Sequence, residues 1–188
     1  MTPSEAGLAE LRRLLAERAF RWGDFVLASG RRSDYFFDAK QVTLEGRGLQ
    51  LAARLLLSRC RLLGVSAVAG DDGVGPLLGA IAALSAGDAG PPLRALMIRN
   101  AEKQHGTQAK IAGPPARSGE PVLLVEDVAT TGGSVLRALE ILAPTGVRVV
   151  EAAVIVDREE GAAEALAAHG LPLFALYRRS EFSATATA

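Results

Sequence analysis

Between residues 122 and 134 the chain reads V-L-L-V-E-D-V-A-T-T-G-G-S, an order of residue types that few local folds accommodate. Val122 to Val125 form an apolar, β-branched run preceded by Gly119 and Pro121, which predicts a strand buried on both faces, as in a parallel sheet. Glu126 and Asp127 follow, and the run Ala129-Thr130-Thr131-Gly132-Gly133-Ser134 then predicts a turn into a helix over 135–142. Glycines let the backbone turn tightly and approach a ligand closely. Unpaired N–H groups at a helix start favour an anion, and Thr and Ser hydroxyls add donors. Ionised carboxylates accept hydrogen bonds from hydroxyl groups. The stretch therefore suits a ligand with a phosphate at one end and hydroxyls at the other, which describes a sugar phosphate. It is neither a G-x-x-x-x-G-K-[ST] loop nor a G-x-G-x-x-G turn. The plainer alternative is an ordinary strand–turn–helix connection, and two acids placed directly before a turn of hydroxyls and glycines weigh against it.

The rest of the chain bounds this reading. With 188 residues, 49% of them hydrophobic, one domain with a substantial core is expected over 1–188. Lys plus Arg equals Asp plus Glu at 21 each, so there is no general attraction to nucleic acid or acidic membranes. Cys60 is the single cysteine, which excludes an internal disulfide and a cysteine-rich metal site. The charged N-terminal segment does not read as a signal peptide, and no charge-free run reaches membrane-spanning length. The expectation is a cytoplasmic protein.

Taken in order, Leu8, Leu11, Leu14 and Leu15 recur at helical spacing. The segment 25–38 reads as a hairpin around Ser29-Gly30, followed by Tyr35, Phe36 and Phe37. Neighbouring strand residues face opposite ways, so these three cannot all enter one core, and one is available to cover a flat ring. A second helix is expected over 45–63. Strands are expected over 65–69, 93–98, 146–156 and 171–176, and helices over 77–84 and 162–169. This alternation predicts a parallel sheet flanked by helices, with a small N-terminal hood over about 1–40. The loop after the first sheet strand carries Asp71 and Asp72, which suit either an acidic surface turn or a Mg²⁺-bridged contact to an anion. From Arg99 to about residue 112 the chain is polar and locally cationic, with Lys103, His105 and Lys110, and reads as a mobile loop able to cover an anion. Arg158, just past a strand end, is placed to grip a carboxylate, or else to pair with Glu159 or Glu160.

The 122–134 stretch resembles the 5-phosphoribosyl-1-pyrophosphate (PRPP) signature of type I phosphoribosyltransferases and matches it throughout. The hairpin is similar to the F-x-L-x-S-G-x-x-S-x-Y-F-F segment of orotate phosphoribosyltransferases, the run from Arg99 to that family's catalytic loop R-K-x-x-K-x-H-G, and Asp157-Arg158-Glu159-Glu160-Gly161 to its D-R-x-E-G segment. The resemblance implies transfer of a phosphoribosyl group from PRPP to orotate. It assigns catalysis to Lys103, His105 and Asp127. It assigns PRPP binding to Arg99, Lys103, His105, Glu126, Asp127, Val128, Ala129, Thr130, Thr131, Gly132, Gly133 and Ser134, and to a cation after Ser29-Gly30 that is Arg31 or else Arg32. Orotate falls to Phe36, Phe37, Thr130 and Arg158. It also implies Mg²⁺ carried mainly by PRPP, with no dedicated protein metal site, and a homodimer in which the loop closes over the neighbouring subunit. Ala28, Asp71, Asp72 and Asn100 depart from the family pattern by removing or opposing positive charge. Two alternatives stay open at this point: a phosphoribosyltransferase for another base, and a non-catalytic PRPP-sensing regulator of the same fold.

Overall fold

The structure is a computed structural model that describes residues 5–26, 32–99 and 110–182. Helix α1 (Glu5–Arg18) leads into an antiparallel pair, β1 (Phe20–Val26) and β2 (Arg32–Phe37). The short α2 (Lys40–Thr43) and long α3 (Gly46–Leu63) connect this pair to the main sheet. That sheet then runs β3 (Ala67–Asp71), α4 (Gly75–Ala86), β4 (Arg94–Ile98), β5 (Ile111–Ala112), β6 (Pro121–Ala129), α5 (Gly133–Leu142), β7 (Arg148–Asp157), α6 (Ala162–Ala167) and β8 (Leu173–Arg178).

The six strands lie in the order β5-β4-β3-β6-β7-β8, all pairs parallel except the two-residue edge pair β4–β5. The expected parallel sheet flanked by helices, with a small antiparallel sheet at the N-terminus, is therefore present. The apolar run in β6 explains its central place. Leu123 and Val125 enter the core shared with α3 and α4, while Val122 and Leu124 enter the core beneath α5 and α6. Alternating side chains are thus buried on both sides, as a central parallel strand requires. Several boundaries differ from expectation: β1 begins at Phe20 rather than at 25, β3 spans Ala67–Asp71 rather than 65–69, and α2 and β5 are additional short elements. β6 does not end at Val125 but continues through Glu126 and Asp127 to Ala129, because Val128 and Ala129 still pair with Val156 and Asp157 of β7.

On the N-terminal pair the alternation is equally clear. Tyr35 and Phe37 point inward and Phe36 outward. Phe20 gathers Trp22, Tyr35, Phe37 and Phe182 around itself, with ring centroids 4.5 to 5.8 Å apart. Such contacts add about 1 kcal/mol each beyond the area they bury. Cys60 is fully buried on α3 and its thiol is pushed up to about 12 by burial, so it is an inert packing group. Among the described residues no helix is long and apolar enough to cross a membrane.

Candidate active site

Parallel strands share a direction, so their C-terminal ends form one edge, and open α/β sheets bind ligands there. In this chain that edge carries Ile98 at the end of β4 and Arg99 after it, Asp71 at the end of β3, Glu126 to Ala129 in β6, and Asp157 at the end of β7 with Arg158 after it. Residues far apart in the chain become neighbours. The backbone N–H of Arg158 donates to the carbonyl of Ala129 (2.9 Å), fixing the start of the β7 loop against the β6 turn.

The turn itself is shaped by Gly132, which has φ +83° and caps α5. An L side chain is strained in that region, and a Cβ would meet Ala162 and Leu166 at 3.5 Å. No side chain caps α5, and its first backbone bond runs from the N–H of Leu136 to the carbonyl of Gly132. The amides of Gly133, Ser134 and Val135 therefore precede the helical ladder. Beside them stand Thr130, half-buried, and Thr131, exposed. Backbone amides and hydroxyls thus gather at this helix start, an arrangement that suits an anion.

The two acids differ in environment. Asp127 has a side chain 15% exposed and accepts from Lys40 Nζ at 3.0 Å. Glu126 lies deeper. Burial, followed by the nearby charges of Asp71 and Asp127, pushes its carboxyl up to about 8, although the N–H of Asp127 donates to it (3.1 Å). Near neutral pH this favours the protonated form of Glu126, able to donate as well as accept. Glu126 is neutral when folded but ionised when unfolded between about 4.5 and about 8, so the folded state binds more protons there. Stability from this group falls as pH rises through that window. Glu126→Gln is therefore expected to raise Tm at pH 8, by an amount on the order of a few kcal/mol in stability, and to change it little at pH 5. A Tm difference that is the same at both pH values would contradict this.

Gly70 brings the β3 end close to these acids. A Cβ there would stand 2.5 Å from the Val125 carbonyl and 2.7 Å from Val74 Cγ2. Just beyond it, Asp71 Oδ1 accepts from the N–H of Gly73 (2.8 Å), so Asp71 caps its own turn.

Arg158 is the best-anchored cation at the edge. Its Nε donates to Tyr35 Oη (2.8 Å), its guanidinium lies 4.8 Å from the Tyr35 ring centroid, and a terminal nitrogen pairs with Glu160 at 2.9 Å. The pairing with Glu160 and the position at the ligand edge are both realised. Burial raises the Tyr35 phenol above its usual pKa, opposed by the charge and hydrogen bond of Arg158, so Tyr35 stays protonated. Phe36 is 42% exposed and packs on Phe25, whereas Phe37 sits in the aromatic core at 9%. Val128, half-buried, and Ala129, buried, belong to the strand itself. Arg99 donates its N–H to the Lys110 carbonyl (2.9 Å), so these two residues are neighbours. Lys103, His105, Asn100, Ala28 and Arg31 lie outside the described residues.

Comparison with known proteins gives the family. Residues 76–168 match the model of the phosphoribosyl transferase domain. The chain is 42% identical to the orotate phosphoribosyltransferase of Thermosynechococcus vestitus, over 96% of this chain and 97% of that one. The chain belongs to the orotate phosphoribosyltransferase family. Another member, from Bradyrhizobium sp. strain BTAi1, is 40% identical over 94% of this chain and 97% of its own. Among solved structures, the orotate phosphoribosyltransferase of Mycobacterium tuberculosis in complex with PRPP has TM-score 0.75 at 32% identity, covering 93% of this chain and 98% of that one.

Two residues that reach the edge from the N-terminal region were not singled out by the sequence. Lys40 sits in a four-residue helix with no periodicity, and its partner Asp127 is 87 positions away. Tyr35 was visible as an aromatic, but its hold on Arg158, 123 positions away, was not.

Proposed function

We propose that the chain transfers the 5-phosphoribosyl group of PRPP to orotate, releasing pyrophosphate and forming orotidine 5′-monophosphate in pyrimidine biosynthesis. The observation that carries this reading is that the α5 start, Asp127 and Arg158 lie along one strand-end edge. In this reading Ala129 to Ser134 hold the 5′-phosphate, which orients the sugar away from the reacting carbon. Asp127 and Glu126, with Val128 between them and the turn, hold the ribose hydroxyls as the anomeric carbon becomes cation-like. Arg158 pairs with the orotate carboxylate, and Thr130 and the exposed Phe36 border the ring, while Phe37 supports it from the core. Orotate is already an anionic nitrogen nucleophile, so no strong protein base is needed.

Charge gathers on the departing pyrophosphate, and Arg99, Lys103, His105 and Arg31 are the cations proposed to meet it. The loop over about 99–112 would close over the neighbouring subunit of a cytoplasmic homodimer built from one domain, 1–188. Mg²⁺ would supply further charge on the leaving group. That ion would be held mainly by the phosphate oxygens of PRPP.

The test is competition among bases at fixed PRPP and Mg²⁺. Orotate is expected to be used at least about 100-fold more efficiently than uracil, which lacks the carboxylate that Arg158 would grip. Equal use of uracil, or of a purine, would contradict the assignment.

A further inference from the structure

Lys40 is the first residue of α2, and its ammonium reaches across to Asp127 of β6. The contact joins two parts of the molecule: α2 follows the N-terminal strand pair, and Asp127 belongs to the ligand edge of the main sheet. Thr43 and Leu44 of the same segment share a small cavity with Gly73, Val74, Pro76, Leu77 and Asp127. The α2 segment and the turn after β3 therefore meet beside this carboxylate. Burial pulls the Lys40 ammonium down, but the hydrogen bond to Asp127 and the charges of Asp127, Asp38 and Glu126 outweigh it, so Lys40 is held above the ordinary lysine value and stays charged. Its side chain is 49% exposed, so the long stem keeps room to turn.

The charges around this point set a requirement. Asp71, Asp72 and Asp127 lie on the strand ends and the turn where a phosphorylated sugar would bring still more negative charge. An anion placed there without a cation would be repelled. A ribose whose hydroxyls take the Asp127 carboxylate must also displace, or share it with, the ammonium already bonded to it.

We infer that Lys40 is a substrate-binding residue: it occupies Asp127 while the pocket is empty and moves to the pyrophosphate when a pyrophosphorylated ribose takes that carboxylate. This rests on the assignment of Asp127 to the ribose. The exchange makes and breaks ion pairs alone, and charge is conserved at each partner. It gives the pocket a preference for a ribose with an anionic group at its first carbon, because such a ligand offers the displaced ammonium a new partner.

Calorimetry on Lys40→Gln and Lys40→Arg, with PRPP plus Mg²⁺ and with ribose 5-phosphate, tests it. Lys40→Gln is expected to weaken PRPP about tenfold while leaving ribose 5-phosphate within about twofold, and Lys40→Arg is expected to recover most of the PRPP affinity. A loss that is equal for both ligands would reduce Lys40 to a structural tie and overturn the inference, as would unchanged PRPP affinity. Wild-type protein that binds no PRPP would instead sink the assignment beneath it, and that result is seen before any substitution is made.

Discussion

Arg158→Ala is expected to lower kcat/KM for orotate by about 10²- to 10³-fold while leaving PRPP affinity within about twofold. The size follows from the setting of the guanidinium. Its side chain is mostly buried at 12% exposure, fixed by Tyr35 Oη on one nitrogen and by Glu160 on another. A preorganised, desolvated cation interacts with a carboxylate more strongly than a solvated one. Its removal leaves an incoming carboxylate with Glu160 beside it and no partner, so attraction is replaced by repulsion. Steady-state kinetics with orotate varied, together with calorimetry for PRPP, separates this from general damage to the edge. Arg158→Lys keeps the charge but loses the planar fork and is expected to fall between the two. If Arg158→Ala weakened PRPP and orotate equally, the residue would be holding the N-terminal sheet in place through Tyr35 rather than reading the base.

Asp127→Asn is expected to reduce PRPP affinity by about one to two orders of magnitude. Asn matches Asp in shape, so the packing of β6 is kept. The change removes a carboxylate acceptor beside Glu126, whose own carboxyl is pushed up to about 8 by burial. It also leaves the Lys40 ammonium without its counter-charge. Isothermal titration with Mg²⁺ present measures the effect, and unchanged affinity would show that the carboxylate does not grip the sugar. The orotate dependence, carried by Arg158 on the next strand, is expected to move much less.

These two residues show what could be read from the sequence. Asp127 and the turn after it were legible because strand, acids, glycines and helix start lie within a short contiguous stretch, where local rules act together. Arg158 was legible because a β-branched run announces a strand and its end announces the ligand edge. The charge state of Glu126 was not legible: it depends on burial and on Asp71, which reaches it only because β3 and β6 are neighbours in the sheet. Lys40 was hidden for the same reason, since nothing near it in the chain marks it apart from a solvated lysine. Alternation predicted that Tyr35, Phe36 and Phe37 divide between two faces, but which face is the core is decided by Phe20 and Phe182, far away in the chain. The continuation of β6 past Val125 was likewise set by its partner β7, whose pairing holds polar residues in strand geometry.

The most direct measurement is a crystal structure of the protein soaked with ribose 5-phosphate. The account predicts density in which the phosphate accepts from the backbone at Gly133 and Ser134, and a ribose hydroxyl lies within hydrogen-bond distance of Asp127. A sugar phosphate bound elsewhere, with the α5 start bare and Lys40 still on Asp127, would contradict it.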